Sequence, residues 1–392
     1  MQRYEQLDSL RGLAALAVML GHFLMVFAPI VQNTSDLSFL DYPLNILKYS
    51  PFRAIWGGHE AVIMFFLLSG FVLSLPFYHN RQQSYSKYAI KRICRIYIPF
   101  VIALFASIVL RDAVFESKLS DLTSYYNNLW VRPPDMISII QHLLFLGNYN
   151  TTIYDPILWT LVHEMRISLL FPFLMIIIIK GGWKAGLPFA FALSFGAEWA
   201  LNHFETRYMT NFVVSFHYAS IFLVGALLAK YLTPLKAAFS RLNGWGIALL
   251  LVIALCSYTF KWIGYDEDFH DMFPLHRGDW MTALGASIFI ITAVSSSRLS
   301  KLLEREPFLF LGKISYSLYL YHMIVLLTLV HLMNDFLNTP LIVLLAFILS
   351  FATAAMGYYF VELPSIRLGK RLTSWRKKPI ISDTGSGTSL PS

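Results

Sequence analysis

The sequence predicts an all-α protein, a polytopic bundle of about ten transmembrane helices with both termini in the cytoplasm. Hydrophobic residues make up 56% of the 392 residues and charged residues only 14%, which is too little charge to cover a soluble protein of this length. Apolar runs of about twenty residues recur along the chain, and each can cross a bilayer core of roughly 30 Å. Lysine and arginine are concentrated in every second connecting segment, which is the distribution expected of cytoplasmic segments.

Ten apolar runs define the predicted spans, and each is bounded by a polar or charged segment. They are Leu13–Val31, Ala61–Tyr78, Ile96–Leu110, Ile157–Ile179, Ala185–Leu201, Phe212–Tyr231, Gly244–Ile263, Met281–Ser297, Phe308–Leu332 and Pro340–Val361. The first run is longer than the core of a typical secretory signal, and the small-residue cleavage signature after it is poor. We therefore predict that it is a retained helix.

Composition also excludes several classes of function. The net charge is +8, but the basic residues lie between apolar runs, so we expect no nucleic-acid partner. The two cysteines, Cys94 and Cys256, support neither a disulfide framework nor a metal site, and the histidines form no coherent ligand set. We predict one membrane domain over residues 1–378 and a disordered tail, rich in Ser, Thr and Gly, over residues 379–392.

Titratable residues inside the spans are the first candidates for function, because charge is costly within a bilayer. Arg11 and His22 are within roughly 20° of three full helical turns of each other, so they share one face, about 16 Å apart along the axis. Arg11 is then at the cytoplasmic interface and His22 near mid-membrane. A neutral imidazole at that depth can act as a general base. The alternative is a buried histidine hydrogen-bonded to a neighbouring helix.

The fourth span carries a denser polar group, formed by Trp159, His163, Glu164 and Arg166. Trp159 lies one turn before His163, and Arg166 follows at i+3, whereas Glu164 points to an adjacent face. Three ionisable residues within four positions of a span favour a functional site over a structural ion-pair network.

A polar stripe on the ninth span is formed by Ser315, Tyr319 and His322, at positions i, i+4 and i+7. Contacts that hold helices together and a role facing a substrate explain this stripe equally well.

A dense cationic patch, Lys91, Arg92 and Arg95, precedes the third span. Positive-inside topology explains part of this patch. Arginine side chains also bind phosphate groups well, so a phosphate site remains open.

Together these motifs resemble the acyltransferase-3 family of integral membrane O-acyltransferases. The strongest element is the opening Leu7-Asp-Ser-Leu-Arg-Gly-Leu-Ala-Ala, with Arg11 and His22 separated by ten residues. Further landmarks follow in the expected order at Phe65–Phe71, Arg92–Tyr97, Ser315–His322 and Phe360–Pro364.

One landmark departs from the family pattern. The family reads close to Ser-Leu-Trp-Ser-Leu-x-Val-Glu, whereas this chain reads Ile157-Leu-Trp-Thr-Leu-Val-His-Glu. Trp159 and Glu164 match the pattern, and His163 and Arg166 are less usual.

The resemblance implies a membrane O-acyltransferase of a bacterial inner membrane. It would move an acyl group, most simply acetyl, from acyl-CoA to a hydroxyl of an extracytoplasmic or lipid-linked saccharide. The expected partners are acyl-CoA, the saccharide or lipid-linked glycan and membrane lipids, with no metal, and the form expected is the stand-alone one without a fused esterase-like domain. The acceptor's identity, the acyl chain length, a direct or a covalent relay, and the oligomeric state remain open.

Site roles follow from the same resemblance. The catalytic candidates are His22 as general base, Glu164 to orient or tune a histidine, and His163 as a second base or polar partner. The candidates for holding the coenzyme phosphates are Arg11, Lys91, Arg92 and Arg95. The candidates for substrate contacts are Ser69, Trp159, Arg166, Tyr319 and His322. The rival reading is a transporter or flippase for a lipid-linked saccharide, although we find no paired repeat halves in the sequence.

Overall fold

The computed structural model describes residues 4–27, 42–79, 84–119, 122–145, 151–204, 210–262 and 275–374, and these ranges contain helices and no strand. The helices are α1 Glu5–Leu24, α2 Tyr42–Lys48, α3 Gly58–Tyr78, α4 Tyr85–Val114, α5 Met136–Leu144, α6 Leu158–His203, α7 Thr210–Lys230, α8 Leu232–Phe239, α9 Gly244–Tyr258, α10 Leu275–Ser295, α11 Ser297–Leu303, α12 Glu306–Met333, α13 Thr339–Gly357 and α14 Leu363–Ser374. Short 3₁₀ turns lie at Pro51–Ile55, Tyr126–Asn128, Thr151–Ile153 and Phe260–Trp262, and a π-helical turn, Tyr358–Glu362, joins α13 to α14. The predicted tail, 379–392, lies outside the described residues.

The all-α polytopic bundle predicted from the sequence is confirmed. Within the described ranges, eight helices are long and apolar enough to cross a membrane, and α9 is a shorter apolar helix. One of the eight, α6, contains two predicted spans, so each of the ten predicted apolar runs contains a helix within the described residues. Outward-facing side chains on α9 and α13, such as Trp245, Leu249 and Ile348, are large, apolar and exposed, as expected of surfaces that face lipid.

The long helix α6 breaks at Gly182. This glycine has φ +58° and ψ −146°, a conformation that side chains disfavour. Lys230 Nζ donates a hydrogen bond to the carbonyl of Ile178 at 2.5 Å, and Tyr231 Oη accepts one from the Trp183 amide at 3.2 Å. These two bonds satisfy backbone groups released by the break, so α6 turns back as a second span.

Glycines allow two helix pairs to pack at backbone distance. A Cβ at Gly70 of α3 would collide with the carbonyl of Phe222 in α7, and one at Gly225 would collide with that of Leu67. Gly12 of α1 and Gly312 of α12 face each other in the same way. Small residues give membrane helices this close approach, which van der Waals contact then stabilises.

Several helix boundaries differ from the predicted ones, most clearly those of α1 and α4. Helix α1 begins at Glu5 and ends at Leu24, and α4 begins at Tyr85, so the cationic patch lies inside α4. An apolar run marks only the part that crosses lipid, whereas the backbone hydrogen bonds continue beyond it. At the end of α1, Tyr126 Oη donates to the carbonyl of His22 at 2.5 Å, and Thr123 Oγ1 donates to that of Met25 at 3.0 Å. These hydroxyls satisfy terminal carbonyls and end the helix earlier than predicted.

The N-terminal ends of α1, α4 and α12 lie at one face of the bundle. Gln6 Nε2 donates to Ser300 Oγ at 2.7 Å, and Ser9 Oγ donates to the Leu303 carbonyl at 2.6 Å. Gly369 of α14 packs against Cys94 of α4 at the same end. We call this end the basic face, because it gathers segments rich in lysine and arginine, and we call the other end the opposite face.

We expect Gly70→Ala to lower the thermal stability of the purified protein, because its new methyl group meets backbone rather than a movable side chain. The matched control is Gly196→Ala, where a Cβ meets nothing within 4 Å. At Gly196 alanine should instead raise the stability by about 0.5–1 kcal/mol, because glycine loses more backbone entropy than alanine when a helix forms. Thermal unfolding in detergent measures both, and equal stability of the two variants would contradict the close packing of α3 and α7.

Orientation gives a second prediction, tested by single cysteines in a Cys94→Ala, Cys256→Ala background. If the basic face is cytoplasmic, Lys301→Cys reacts with a membrane-impermeant maleimide only in inside-out vesicles. Arg132→Cys, in the loop at the opposite face, then reacts only in right-side-out vesicles. The reverse labelling would place the basic face outside the cytoplasm.

Candidate functional site

A cavity of about 540 Å³ lies between α1, α3, α4, α6, α12 and the segment 358–370. Its lining includes Tyr4, Asp8 and Arg11 from the N-terminal helix, and Lys313 and Lys370 from the basic face. The cavity therefore runs from the basic face toward the middle of the bundle. Its volume is in the range of ordinary small-molecule sites.

Charge is distributed unevenly along this cavity. Three exposed cations, Arg95, Lys313 and Lys370, line its mouth. Deeper in, the half-buried Arg11 is within electrostatic range of Glu164, which also lines the cavity. The mouth thus carries positive charge that favours anions. Arg11 lies near two carboxylates, Glu164 and Asp8, and within electrostatic range of Arg95 and Arg92.

The inner end of the cavity is polar but closed by side chains. Tyr319 Oη and Thr160 Oγ1 are hydrogen-bonded at 2.7 Å, and the ring of Phe65 stands edge-on to Tyr319 at 5.6 Å between centroids. Ser69 lines the cavity from α3. Predicted substrate contacts Ser69 and Tyr319 are therefore both at the cavity.

Next to this inner end, α1 and α12 bring two histidines together. His22 Nδ1 lies 3.0 Å from His322 Nε2, and His322 Nδ1 lies 3.0 Å from the carbonyl of Leu318. The His322 ring is 6.1 Å from the ring of Tyr319, which lines the cavity. His322 is fully buried and His22 is half-buried.

The hydrogen bonds of the pair set the positions of its protons. A carbonyl oxygen only accepts, so Nδ1 of His322 donates to Leu318 and, in a neutral ring, Nε2 of His322 accepts. Nδ1 of His22 must then donate to it. His22 also has a hydrogen bond with the backbone of Val18, one turn earlier in α1. With the proton on Nδ1, Nε2 of a neutral His22 carries the lone pair that a general base requires. The contact with α12 is the one expected of a buried histidine that is hydrogen-bonded to a neighbouring helix, and the general-base role of His22 stays a prediction.

Three candidates from the fourth predicted span, Trp159, His163 and Arg166, lie away from the cavity lining. His163 Nδ1 is 2.9 Å from Ser215 Oγ of α7, and its ring stands edge-on to Trp159. Arg166 donates to the carbonyl of Phe145, just after the last residue of α5. A cation at a helix C-terminus stabilises that helix, so Arg166 anchors α5 to α6.

The cationic patch of α4 is divided by the structure. Arg95 lines the cavity, whereas Arg92 is hydrogen-bonded to Tyr88 and acts electrostatically on the cavity from behind its wall. Lys91 is exposed at the basic face.

Sequence reasoning missed several cavity residues, namely Asp8, Lys313, Lys370 and Glu362. Glu362 is buried and accepts a hydrogen bond from Ser317 Oγ at 3.0 Å. The sequence did contain a signal for Glu362, because an acidic residue at the end of an apolar run is a candidate for function.

A second polar network was also missed, near the opposite face. The buried Asp279 of α10 contacts His59 Nε2 at 2.6 Å, His217 Nε2 at 3.1 Å and Lys261 Nζ at 3.3 Å. Ser194 Oγ continues the network at 2.8 Å from His217 Nδ1. The network therefore ties α3, α6, α7 and α10 together through one carboxylate. Histidines within spans were the available signal.

No group of three or more His, Cys, Asp or Glu residues within the described ranges is placed to hold a metal ion.

Comparison with known proteins places the chain in a family. The acyltransferase-3 model, described as an acyltransferase domain, matches residues 4–359. A protein of Staphylococcus aureus strain MRSA252 named "Putative O-acetyltransferase" is 24% identical over 357 residues, which is 83% of this chain and 55% of that protein. A protein of the same description from strain COL is 24% identical over 353 residues, 82% of this chain and 54% of its own length. No solved structure matches the chain.

The chain belongs to the acyltransferase-3 family, which confirms the resemblance given by its motifs. It spans about half the length of the curated relatives it matches.

The Asp279 network gives a prediction about stability. Asp279→Ala leaves two histidines and Lys261 without their shared acceptor, and breaking such a buried pair costs about 3–5 kcal/mol. The control is Asp112→Ala, which removes an exposed carboxylate paired with Arg111 and worth about 0–1 kcal/mol. Thermal unfolding of both variants measures the difference, and a mild effect of Asp279→Ala would show that the network contributes little.

Proposed function

We propose that this protein is a membrane O-acyltransferase that moves an acyl group, most simply acetyl, from a coenzyme A thioester to a saccharide hydroxyl. The observation that supports this most strongly is a cavity with cations at its mouth and a hydrogen-bonded histidine pair beside its inner end. The family supports the reaction class, and the cavity supports the donor.

The donor's phosphates are assigned to the mouth of the cavity at the basic face. Arg95, Lys313 and Lys370 are exposed there, and guanidinium and ammonium groups bind phosphate oxygens through charge-assisted hydrogen bonds. Arg92 and Lys91 add positive charge near this mouth rather than direct contacts. Arg11 lies deeper and, with Glu164, keeps a polar environment along the path of the acyl arm.

The chemistry is assigned to His22. Its Nε2 takes the proton of the acceptor hydroxyl as the acceptor oxygen bonds to the thioester carbonyl carbon. The carbon–sulfur bond then breaks, and the proton passes from His22 to the leaving thiolate, so the ring returns to its first state. His322 is a positioning residue, because its Nε2 holds the proton of His22 on Nδ1. Glu164 acts through Arg11, and His163 is a polar partner of Ser215.

The acceptor is assigned to the opposite face of the bundle. His22 lies in the last turn of α1, beneath the loop that carries Tyr126. An extracytoplasmic or lipid-linked glycan would reach it from that side in a bacterial inner membrane, whereas the donor enters from the basic face. Because donor and acceptor approach the histidine pair from different faces, direct transfer is the simplest route.

The donor assignment gives a binding prediction. We expect purified protein in detergent to bind acetyl-CoA and to hydrolyse it slowly, and Arg95→Ala/Lys313→Ala to weaken binding at least tenfold through loss of two charge-assisted contacts. Lys301→Ala is the control, since Lys301 is an exposed cation at the same face outside the cavity lining. His22→Ala should bind acetyl-CoA without turnover. A wild-type protein with no affinity for acyl-CoA would overturn the donor and favour a transporter for a lipid-linked saccharide.

The histidine pair gives a second prediction. Glutamine places an oxygen acceptor where His322 has Nε2, so His322→Gln should retain part of the turnover. His322→Leu removes the acceptor and should lower turnover by about 10²–10⁴-fold, the usual worth of general-base catalysis. Acetyl-CoA affinity measured on both variants separates this loss from a loss of donor binding. Equal turnover in the two variants would show that His322 does not position His22.

A further inference from the structure

A buried carboxyl group lies just before α6, at the opposite-face side of the histidine pair. Asp155 is fully buried, and its Oδ1 accepts a hydrogen bond from the Ile157 amide at 3.2 Å. Its Oδ2 is buried and has no hydrogen-bond partner among the described residues. Such an oxygen is costly to leave unpaired, so its presence requires an explanation.

The surroundings of Asp155 connect it to the reaction centre. Asp155 is within electrostatic range of Tyr125 and of Tyr319, and Tyr319 is hydrogen-bonded to Thr160 at the inner end of the cavity. The residue after Tyr125, Tyr126, donates a hydrogen bond to the carbonyl of His22. We call Asp155, Tyr125 and Tyr319 the aspartate cluster. It lies where the acceptor would approach His22 from the opposite face.

We propose that the free oxygen of Asp155 binds an acceptor hydroxyl that neighbours the one being acylated, so that the site selects polyhydroxyl acceptors over simple alcohols. This inference rests on the proposed function and names the acceptor feature that the site recognises. Saccharides carry adjacent hydroxyls, so one hydroxyl can contact His22 while the neighbouring hydroxyl forms a hydrogen bond with Asp155 Oδ2. A monohydroxyl alcohol leaves Asp155 Oδ2 without a hydrogen-bond partner, and such unpaired buried groups discriminate against a substrate.

The protonation state of the cluster suits this role. Burial raises the pKa of Asp155 well above its usual range, which favours the neutral form of the carboxyl group. Burial, and then the nearby Asp155, raise the pKa of Tyr125 to about 12, so its phenol also stays protonated. A neutral carboxyl can both donate to and accept from a sugar hydroxyl without burying a charge.

A purely structural role for Asp155 is the competing explanation, because it also accepts a bond from an amide at the start of a helix. The chain offers a matched comparison. Asp135 caps α5 by accepting from the Ser138 amide at 2.8 Å, and Asp135 is exposed. Asp155→Ala and Asp135→Ala each remove an acceptor for one backbone amide near the start of a helix, whereas loss of a buried oxygen beside the reaction centre belongs to Asp155→Ala alone.

The test measures acceptor preference with the full chain in proteoliposomes, using labelled acetyl-CoA and two acceptors. Octyl β-D-glucoside offers adjacent hydroxyls, and 1-octanol has a similar chain with one hydroxyl. We expect the wild type to prefer the glucoside and Asp155→Ala to lower the ratio of glucoside to octanol transfer about tenfold, as one lost hydrogen bond predicts. Asp155→Asn keeps an acceptor and a donor and should retain most of the preference. Asp135→Ala should leave the ratio unchanged.

Each other outcome contradicts the proposal. A parallel fall in transfer to both acceptors, with lowered thermal stability, leaves Asp155 a structural role only. A wild type that hydrolyses acetyl-CoA but does not prefer the glucoside rejects the hydroxyl subsite while the acyltransferase function stands. A wild type that neither binds nor hydrolyses acetyl-CoA rejects the proposed function itself, and the subsite with it. If Asp155→Ala does not fold, Asp155→Leu replaces it, because leucine also removes both carboxyl oxygens and fills their space, and a ratio unchanged in that variant overturns the subsite.

Discussion

The contact between α1 and α12 is the constraint on which the proposed site depends. Gly12 and Gly312 allow the two backbones to touch near the basic face, and the helices then run together across the bundle. That register sets His22 against His322 with one shared hydrogen bond. The same two helices supply Arg11, Ser315 and Tyr319 to the cavity wall. One wall of the cavity and the histidine pair are therefore built by one helix pair, and side chains from α3, α4 and α6 complete the enclosure.

Charge inside the bundle follows a consistent rule, because an uncompensated charge in a low-dielectric interior is costly. Arg11 lies with Glu164 in the cavity, Glu362 accepts from Ser317, and Asp279 gathers two histidines and Lys261. The exposed cations at the cavity mouth are where positive charge is available to a ligand. This arrangement suits a donor whose phosphates bind the cations at the cavity mouth while its acyl arm extends into the cavity.

The sequence predicted the fold well because the bilayer imposes a length and an apolar composition on every span. It also pointed to Arg11, Arg95, Glu164 and Tyr319, which line the cavity, and to His22 beside it, since titratable or hydroxyl groups inside or next to apolar runs are rare. Their catalytic and binding roles stay predictions. It did not predict which helices touch. The pairing of His22 with His322 joins residues 300 positions apart, and no spacing rule reports such a contact. Arg166 looked functional for the reason that it is charged within a span, yet its partner is a carbonyl after α5. Lys370 lies in the basic segment after the last apolar run. Such a segment can be a solvated tail or part of a cavity wall, and its sequence does not separate the two.

The most direct test of this account locates the acyl group of the bound donor. A coenzyme A thioester with a diazirine on its acyl chain is irradiated with the purified protein, and the attachment sites are mapped by mass spectrometry. The account predicts attachment to residues at the inner end of the cavity, around Ser69, Thr160 and Tyr319, and competition by unlabelled acetyl-CoA. Attachment confined to the lipid-facing surfaces of the bundle, or no competition by acetyl-CoA, would contradict it.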